Sequence, residues 1–151
     1  MTYVLSDIHG NLEAFDNILS QIDLTENDHL YIIGDVIDRG PDPIELLKRI
    51  RSMPDTTLLL GNHEYMMINC LRHPHNEEFR LLWYINGGGD TETQFLKLPG
   101  SAQEELLQYL EGLPVQEEIC VNGETFILVH ACPRKRYTSL KTKRENWASG
   151  N

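Results

Sequence analysis

The chain has 151 residues, of which 40% are hydrophobic and 24% charged, with a formal net charge of −10. That length suits one domain with a sizeable core, and the composition excludes a disordered tail or low-complexity filament. The acidic balance excludes a general nucleic-acid binder, which needs a basic face to displace counterions, and no apolar run approaches the ~20 residues of a membrane span.

In chain order, Tyr3-Val4-Leu5 is a short apolar run ending at Ser6-Asp7-Ile8-His9-Gly10. Leu12, Phe15, Ile18, Leu19 and Ile22 then recur at helical spacing. Leu30-Tyr31-Ile32-Ile33 ends at Gly34-Asp35, and Ile44, Leu47 and Ile50 follow Pro41 and Pro43 as a second helix. A third run, Thr56 to Leu60, ends at Gly61-Asn62-His63-Glu64. Strand–helix–strand–helix–strand with apolar strands predicts a parallel sheet with helices on its faces. Met66, Met67 and Cys70 predict a helix running on from Glu64, and Phe79, Leu82 and Trp83 a further one, stopped by a turn at Gly87-Gly88-Gly89. Leu106, Leu107 and Leu110 mark another, with Ser101 as its cap and Glu104 at the capping-box position. Asn122-Gly123 between two strand-like runs predicts a hairpin whose second strand ends at His130. Met66, Met67 and Trp83 read as core residues, and His73 and His75 as surface-loop histidines. Three cysteines without CxxC spacing (Cys70, Cys120, Cys132), and no basic or cleavable apolar N-terminal stretch, predict a reduced, cytoplasmic protein with no membrane partner.

Four apolar runs therefore enter polar clusters: Asp7/His9, Asp35, Asn62/His63 and His130. Ligands of open α/β sheets lie outside the carboxyl ends of the strands, so the four clusters are expected around one crevice. Carboxylate, imidazole and neutral amide are the donors of a hard-to-borderline metal site. Asp7 and His9, two residues apart, would point to one side of an extended segment, and Asp35 has two oxygens with which to bridge two ions. A single strand-end Asp also serves as a turn or helix cap. The recurrence at four ends is what points to metal.

Asp7-Ile8-His9-Gly10, Gly34-Asp35-Val36-Ile37-Asp38-Arg39-Gly40 and Gly61-Asn62-His63-Glu64 resemble the three signature motifs of calcineurin-like metallophosphoesterases. The intact Asp38-Arg39-Gly40 resembles the Ser/Thr protein phosphatase branch. The stretch Asn62 to Ile68, with Trp83 and Asn86-Gly87-Gly88-Gly89, is similar to bacteriophage lambda phosphatase and its bacterial relatives. Val129-His130-Ala131 resembles the next metal histidine of that family. The resemblance implies an αββα fold, a β-sandwich flanked by helices, over residues 1–133. It implies two divalent cations, Mn²⁺ ahead of Fe or Zn, with Asp7, His9 and Asp35 on the first and Asp35, Asn62 and His130 on the second. A hydroxide between the ions would attack phosphorus in line. His63 would protonate the leaving group, Asp38 would orient His63, and Arg39 would grip phosphate, its bland alternative being a structural salt bridge. The implied substrates are phosphoproteins or small phosphoesters, foremost phosphoserine and phosphothreonine. Symmetrical cleavage of diadenosine tetraphosphate is the enzymatic alternative, which Asp38 disfavours because that branch resembles GDxxxRG with the second Asp altered.

The C-terminal stretch departs from the family. Residues 1–130 carry 22 acidic and 7 basic side chains, residues 131–151 one acid (Glu145) and six bases. No Gly-His-Thr motif and no histidine follow His130, and Trp147 lacks the following arginine of lambda-like relatives. Residues 134–151 thus read as a basic tail on a C-terminally truncated or frame-altered domain whose second sheet is largely missing. On that reading the second metal site is weakened, a catalytically impaired metal-binding fragment becomes a further alternative, and uncovered apolar surface favours self-association.

Overall fold

A computed structural model describes residues 1–131, so Cys132, Trp147 and the basic stretch 134–151 lie outside the described residues. Strands β1 (Thr2–Leu5), β2 (His29–Ile33) and β3 (Thr56–Leu59) form a parallel sheet in the order β1-β2-β3. Helices α1 (Leu12–Ile22) and α2 (Pro43–Ser52) make the two crossovers that parallel pairing requires. Asn11 starts α1 by accepting from the Ala14 amide at 3.0 Å. Pro43 opens α2, where its missing N–H costs no helical bond.

Register decides which strand residues reach the core. Tyr3 pairs Leu30, Leu5 pairs Ile32, and Ile32 pairs Leu58, so these five share a face. That face joins Phe15, Ile44, Leu47 and Ile50 of the two crossover helices in one buried cluster. The opposite face carries Val4, 44% exposed on the edge strand β1, and Leu59, fully buried on β3.

Four more helices follow: α3 (Asn62–Arg72), α4 (Glu77–Ile85), α5 (Gly89–Leu96) and α6 (Gly100–Glu111). The predicted start of α3 at Glu64 is two residues late, because Glu64 folds back onto the Gly61 amide at 3.0 Å and draws Asn62 and His63 into the first turn. The predicted cap of α6 is also corrected: Pro99 holds the N-cap position and Ser101 lies inside the first turn. The glycine run does turn the chain, with Gly87 at φ +99°, but Gly89 opens a helix the sequence pattern did not show. Arg72 joins α3 to α6 by forked contacts with Glu104 (2.8 and 2.9 Å) and Glu111 (2.7 and 2.9 Å).

Strands β4 (Gln116–Val121) and β5 (Glu124–Val129) form an antiparallel hairpin. Asn122 (φ 53°) and Gly123 (φ 83°) supply the two left-handed residues of a type I′ turn, as their sequence predicts. The molecule is thus the expected α/β fold, with six helices and two small sheets among the described residues. His130, however, follows a strand of the second sheet, not a fourth parallel strand. No helix among the described residues is long and apolar enough to cross a membrane.

Candidate metal centre

The loops after β1 and β2 continue the sheet's pairing into the site. Asp7 N donates to Gly34 O (3.3 Å), His9 N to Asp35 O (3.0 Å) and Gly10 N to Val36 O (2.6 Å). Glu64, fully buried, fastens the second loop to the third. Its carboxylate accepts from the amides of Asp35 (2.9 Å), Val36 (2.8 Å), Ile37 (3.3 Å) and Gly61 (3.0 Å). Burial and the neighbouring Asp35 charge push the Glu64 carboxyl above its ordinary range, against the pull of the amides. Gly34 permits the approach: at φ +65°, a side chain there would meet Gly61 Cα at 2.5 Å and His130 Nδ1 at 2.9 Å.

Five site residues, Asp7, His9, Asp35, Asp38 and Arg39, have φ between 47° and 69°. Non-glycine residues avoid this region, and they hold it only where surrounding contacts over-determine it. The extended Asp7–His9 segment expected from i, i+2 spacing is therefore corrected. Ligand atoms gather instead as two sets that share Asp35: His9, Asp35 and His63, and Asp7, Asp35 and His130, each set within 4.8 Å. Asp7 thus stands beside His130 and His9 beside His63. Asn62 adjoins the second set, its Oδ1 2.9 Å from His130 Nε2. Turning its amide by 180° would bring Nδ2 to 3.2 and 3.1 Å from the Asp35 oxygens. A cation would hold the oxygen inward instead.

The imidazoles are prepared for a cation. His9 Nδ1 lies 3.0 Å from Ile37 O and His130 Nδ1 2.7 Å from Ile33 O. A carbonyl can only accept, so both Nδ1 atoms carry hydrogen and both Nε2 atoms face the cluster, the outer-shell arrangement of metal-binding histidines. The residues therefore fit a divalent pair: Asp7, His9, Asp35, Asn62 and His130, all five predicted ligands, converge on one crevice. Burial pushes the Asp35 carboxyl up, but the His130 contact at 3.2 Å and the His63 imidazole outweigh it and hold the group below its ordinary range. Burial likewise favours a neutral His130, yet Asp35 and the Ile33 carbonyl push it up to about 9.

Beside the two sets, His63 Nδ1 lies 2.7 Å from Asp38 Oδ2, and both side chains are essentially inaccessible. Asp38 also accepts from Thr91 Oγ1 (2.6 Å) and from the Trp83 indole N–H (3.0 and 3.2 Å). Arg39, exposed, spreads its guanidinium between His9 Nε2 (3.3 Å) and His63 Nε2 (3.2 Å). The α4–α5 connection steadies it: Arg39 N donates to Gly87 O (3.3 Å) and Nε to Asn86 O (3.4 Å).

The model of the calcineurin-like phosphoesterase family matches residues 2–149. The chain belongs to the calcineurin-like phosphoesterase family. These phosphoesterases use divalent metals, in keeping with the two ligand sets. A protein of Acidovorax sp. (strain JS42) named symmetrical bis(5′-nucleosyl)-tetraphosphatase is 28% identical over 142 residues, 93% of this chain and 47% of its own. A metallophosphoesterase structure from Sphaerobacter thermophilus aligns with TM-score 0.55 and 27% identity, over 79% of this chain and 43% of its own. A structure described as a putative diadenosine tetraphosphatase aligns with TM-score 0.60 over 88% and 53%; at 19% identity it shows the fold alone. The chain spans about half the length of the curated relatives it matches.

The structure brings together Asp7, His9, Asp35, Asp38, Arg39, Asn62, His63 and His130, and three supporting residues went unread in the sequence. Glu64 sits in the quoted Gly61-Asn62-His63-Glu64 motif, whose last position was the available signal. Trp83, read as core, is buried but polar in its role, and Thr91 lies on the unanticipated α5. His73 and His75 lie exposed in the loop after α3, as expected.

Proposed function

We propose that this chain is the catalytic region of a metal-dependent phosphohydrolase whose substrate is a dinucleoside polyphosphate. The observation that carries the phosphohydrolase reading is the pair of ligand sets sharing Asp35, flanked by Arg39 and by His63 buried against Asp38. The substrate class rests on the symmetrical bis(5′-nucleosyl)-tetraphosphatases that match most of the chain. Asp7, His9, Asp35, Asn62 and His130 hold two divalent cations, with Mn²⁺ the metal to assay. Bound there, they supply Lewis acidity towards the phosphate oxygens and a nucleophile at neutral pH. Arg39 binds phosphate through its planar fork, a role its exposure permits. Phosphate that takes the Arg39 N–H groups frees His63 Nε2 to take up a proton from solvent and pass it to the leaving oxygen, while Asp38 holds Nδ1–H and balances the charge the ring gains.

A specific observation favours a second reading, hydrolysis of phosphoserine or phosphothreonine. A nucleoside diphosphate leaves readily as an anion, whereas a serine alkoxide needs a proton. The buried Asp38–His63 pair is machinery for the harder departure. One experiment separates these readings: Mn²⁺-dependent release of phosphate from a phosphopeptide, compared with release of nucleoside diphosphate from diadenosine tetraphosphate. Preferred turnover of the dinucleotide, lost in Asp35→Asn, is the expected result. Preference for the phosphopeptide reverses the substrate assignment, and hydrolysis of neither, with metal bound, makes the chain an impaired metal-binding fragment. The proposed setting is cytoplasmic, with residues 1–133 as the phosphoesterase domain and 134–151 as a basic tail.

A further inference from the structure

Asp38 has no solvent exposure, yet its carboxylate is surrounded by hydrogen-bond donors. The Trp83 indole nitrogen can only donate, and it lies 3.2 Å from Oδ1 and 3.0 Å from Oδ2. The Thr91 hydroxyl accepts from the Asp38 amide at 3.2 Å, so its one hydrogen is left for Oδ1, 2.6 Å away. Oδ1 is thereby committed, and Oδ2 is the oxygen that meets His63 Nδ1 at 2.7 Å. With Asp38 accepting on every side, the His63 ring must place hydrogen on Nδ1 and turn Nε2 towards the crevice.

The chain is built to supply these donors. Thr91 is fully buried in the first turn of α5, and Trp83 is fully buried on α4. Gly88 lies between them, and a Cβ there would strike the Trp83 indole at Nε1. The glycine run therefore does more than stop a helix: it leaves room for the indole to face Asp38.

We infer that Thr91 and Trp83 are positioning residues that act through Asp38 to fix the tautomer and direction of His63. This rests on the role given to His63 above. The test compares Thr91→Val, Thr91→Ser and Trp83→Phe in the full chain loaded with Mn²⁺, using an alkyl phosphate (poor leaving group) and p-nitrophenyl phosphate (good leaving group). For Thr91→Val, kcat on the alkyl phosphate should fall about 10- to 100-fold with KM unchanged, the usual cost of an outer-shell partner. The loss on p-nitrophenyl phosphate should stay within about threefold, since that leaving group needs little protonation. Thr91→Ser, which keeps the hydroxyl, should restore the alkyl phosphate rate. Nitrogen-15 spectra of the His63 ring, taken with diamagnetic Mg²⁺ in place of Mn²⁺ and assigned with His63→Gln, should show the Nδ1–H form in the wild type and Thr91→Ser, and a mixture in Thr91→Val and Trp83→Phe. Equal losses on both substrates without rescue by serine, or an unchanged Nδ1–H signal in Thr91→Val and Trp83→Phe, would overturn the inference. If the wild type hydrolyses neither phosphate, the functional reading fails and the ring spectra alone decide the positioning role.

Discussion

Asp35 stands where both ligand sets meet, so its charge counts twice. Asp35→Asn keeps the shape and the tolerance of left-handed backbone while removing that charge. Calorimetric Mn²⁺ titration should then lose uptake at both positions, and hydrolysis should fall by more than about 100-fold, beyond what an outer-shell loss costs. His130 adds a pH dependence. Its ring, raised to about 9 without metal, carries a proton at pH 7 that a cation must displace. Metal uptake should therefore release a proton and strengthen as pH rises towards about 9, which titration in two buffers of different ionisation heat would detect. Arg39 (φ 67°) tests strain against function, because left-handed backbone costs an ordinary residue about 1–2 kcal/mol. Arg39→Gly should leave the melting temperature unchanged or higher while raising KM for phosphate substrates. A lower melting temperature would mark Arg39 as the structural residue of its alternative reading. The identities of these residues were legible in the sequence because strand ends and residue chemistry are local. Their left-handed conformations were not, because they come from contacts with Glu64 and between loops distant in the chain.

Elements place what residues cannot place alone. The loops after β2 and β3 meet because α3 begins early enough for Glu64 to collect four backbone amides. Glu64→Gln keeps one acceptor oxygen but turns an NH₂ group towards N–H donors, leaving buried groups unpaired. The expected loss is about 3 kcal/mol, read as a lower urea midpoint, with metal affinity weakened in parallel. Arg72 makes a separate, exposed tie between α3 and α6. Its hydrogen bonds hold Glu104 down to about 2 and keep Glu111 below its ordinary value. A carboxyl lowered on folding stabilises above its unfolded pKa, 4.5 here, and that gain is lost as pH falls through about 2. Wild type and Arg72→Gln should therefore differ in urea midpoint at pH 5 and converge at pH 2. Helical periodicity and the Asn122-Gly123 turn revealed most elements. The pattern hid α5, whose glycine-led sequence reads locally as a stop and whose stability comes from packing Thr91 and Phe95.

At the scale of the whole molecule, apolar side chains remain uncovered. Val4 on the parallel sheet is 44% exposed, and Phe126 and Ile127 on the hairpin are 45% and 36% exposed. Such a surface favours association, so the chain should show concentration-dependent mass in sedimentation, reduced in Phe126→Thr. A constant monomer mass at all concentrations would rule this out. The sequence made the parallel sheet and its crossovers legible, since each crossover joins neighbouring segments. It did not reveal that His130 arrives from a second sheet: the Asn122-Gly123 turn announces the antiparallel hairpin, but nothing local tells whether that hairpin joins the parallel sheet.

The two ligand sets consequently depend on different parts of the chain. His9, Asp35 and His63 all follow from the parallel strands, whereas the other set needs His130, carried by a hairpin and seated through Ile33 and Asn62. Hairpins open more easily than sheet cores. Excess chelator should therefore strip the ions in two kinetic phases, the faster one keeping pace with amide hydrogen exchange in the hairpin. Protein caught between the phases would hold a single ion, an arrested form with the first centre filled and the second waiting for a strand to close.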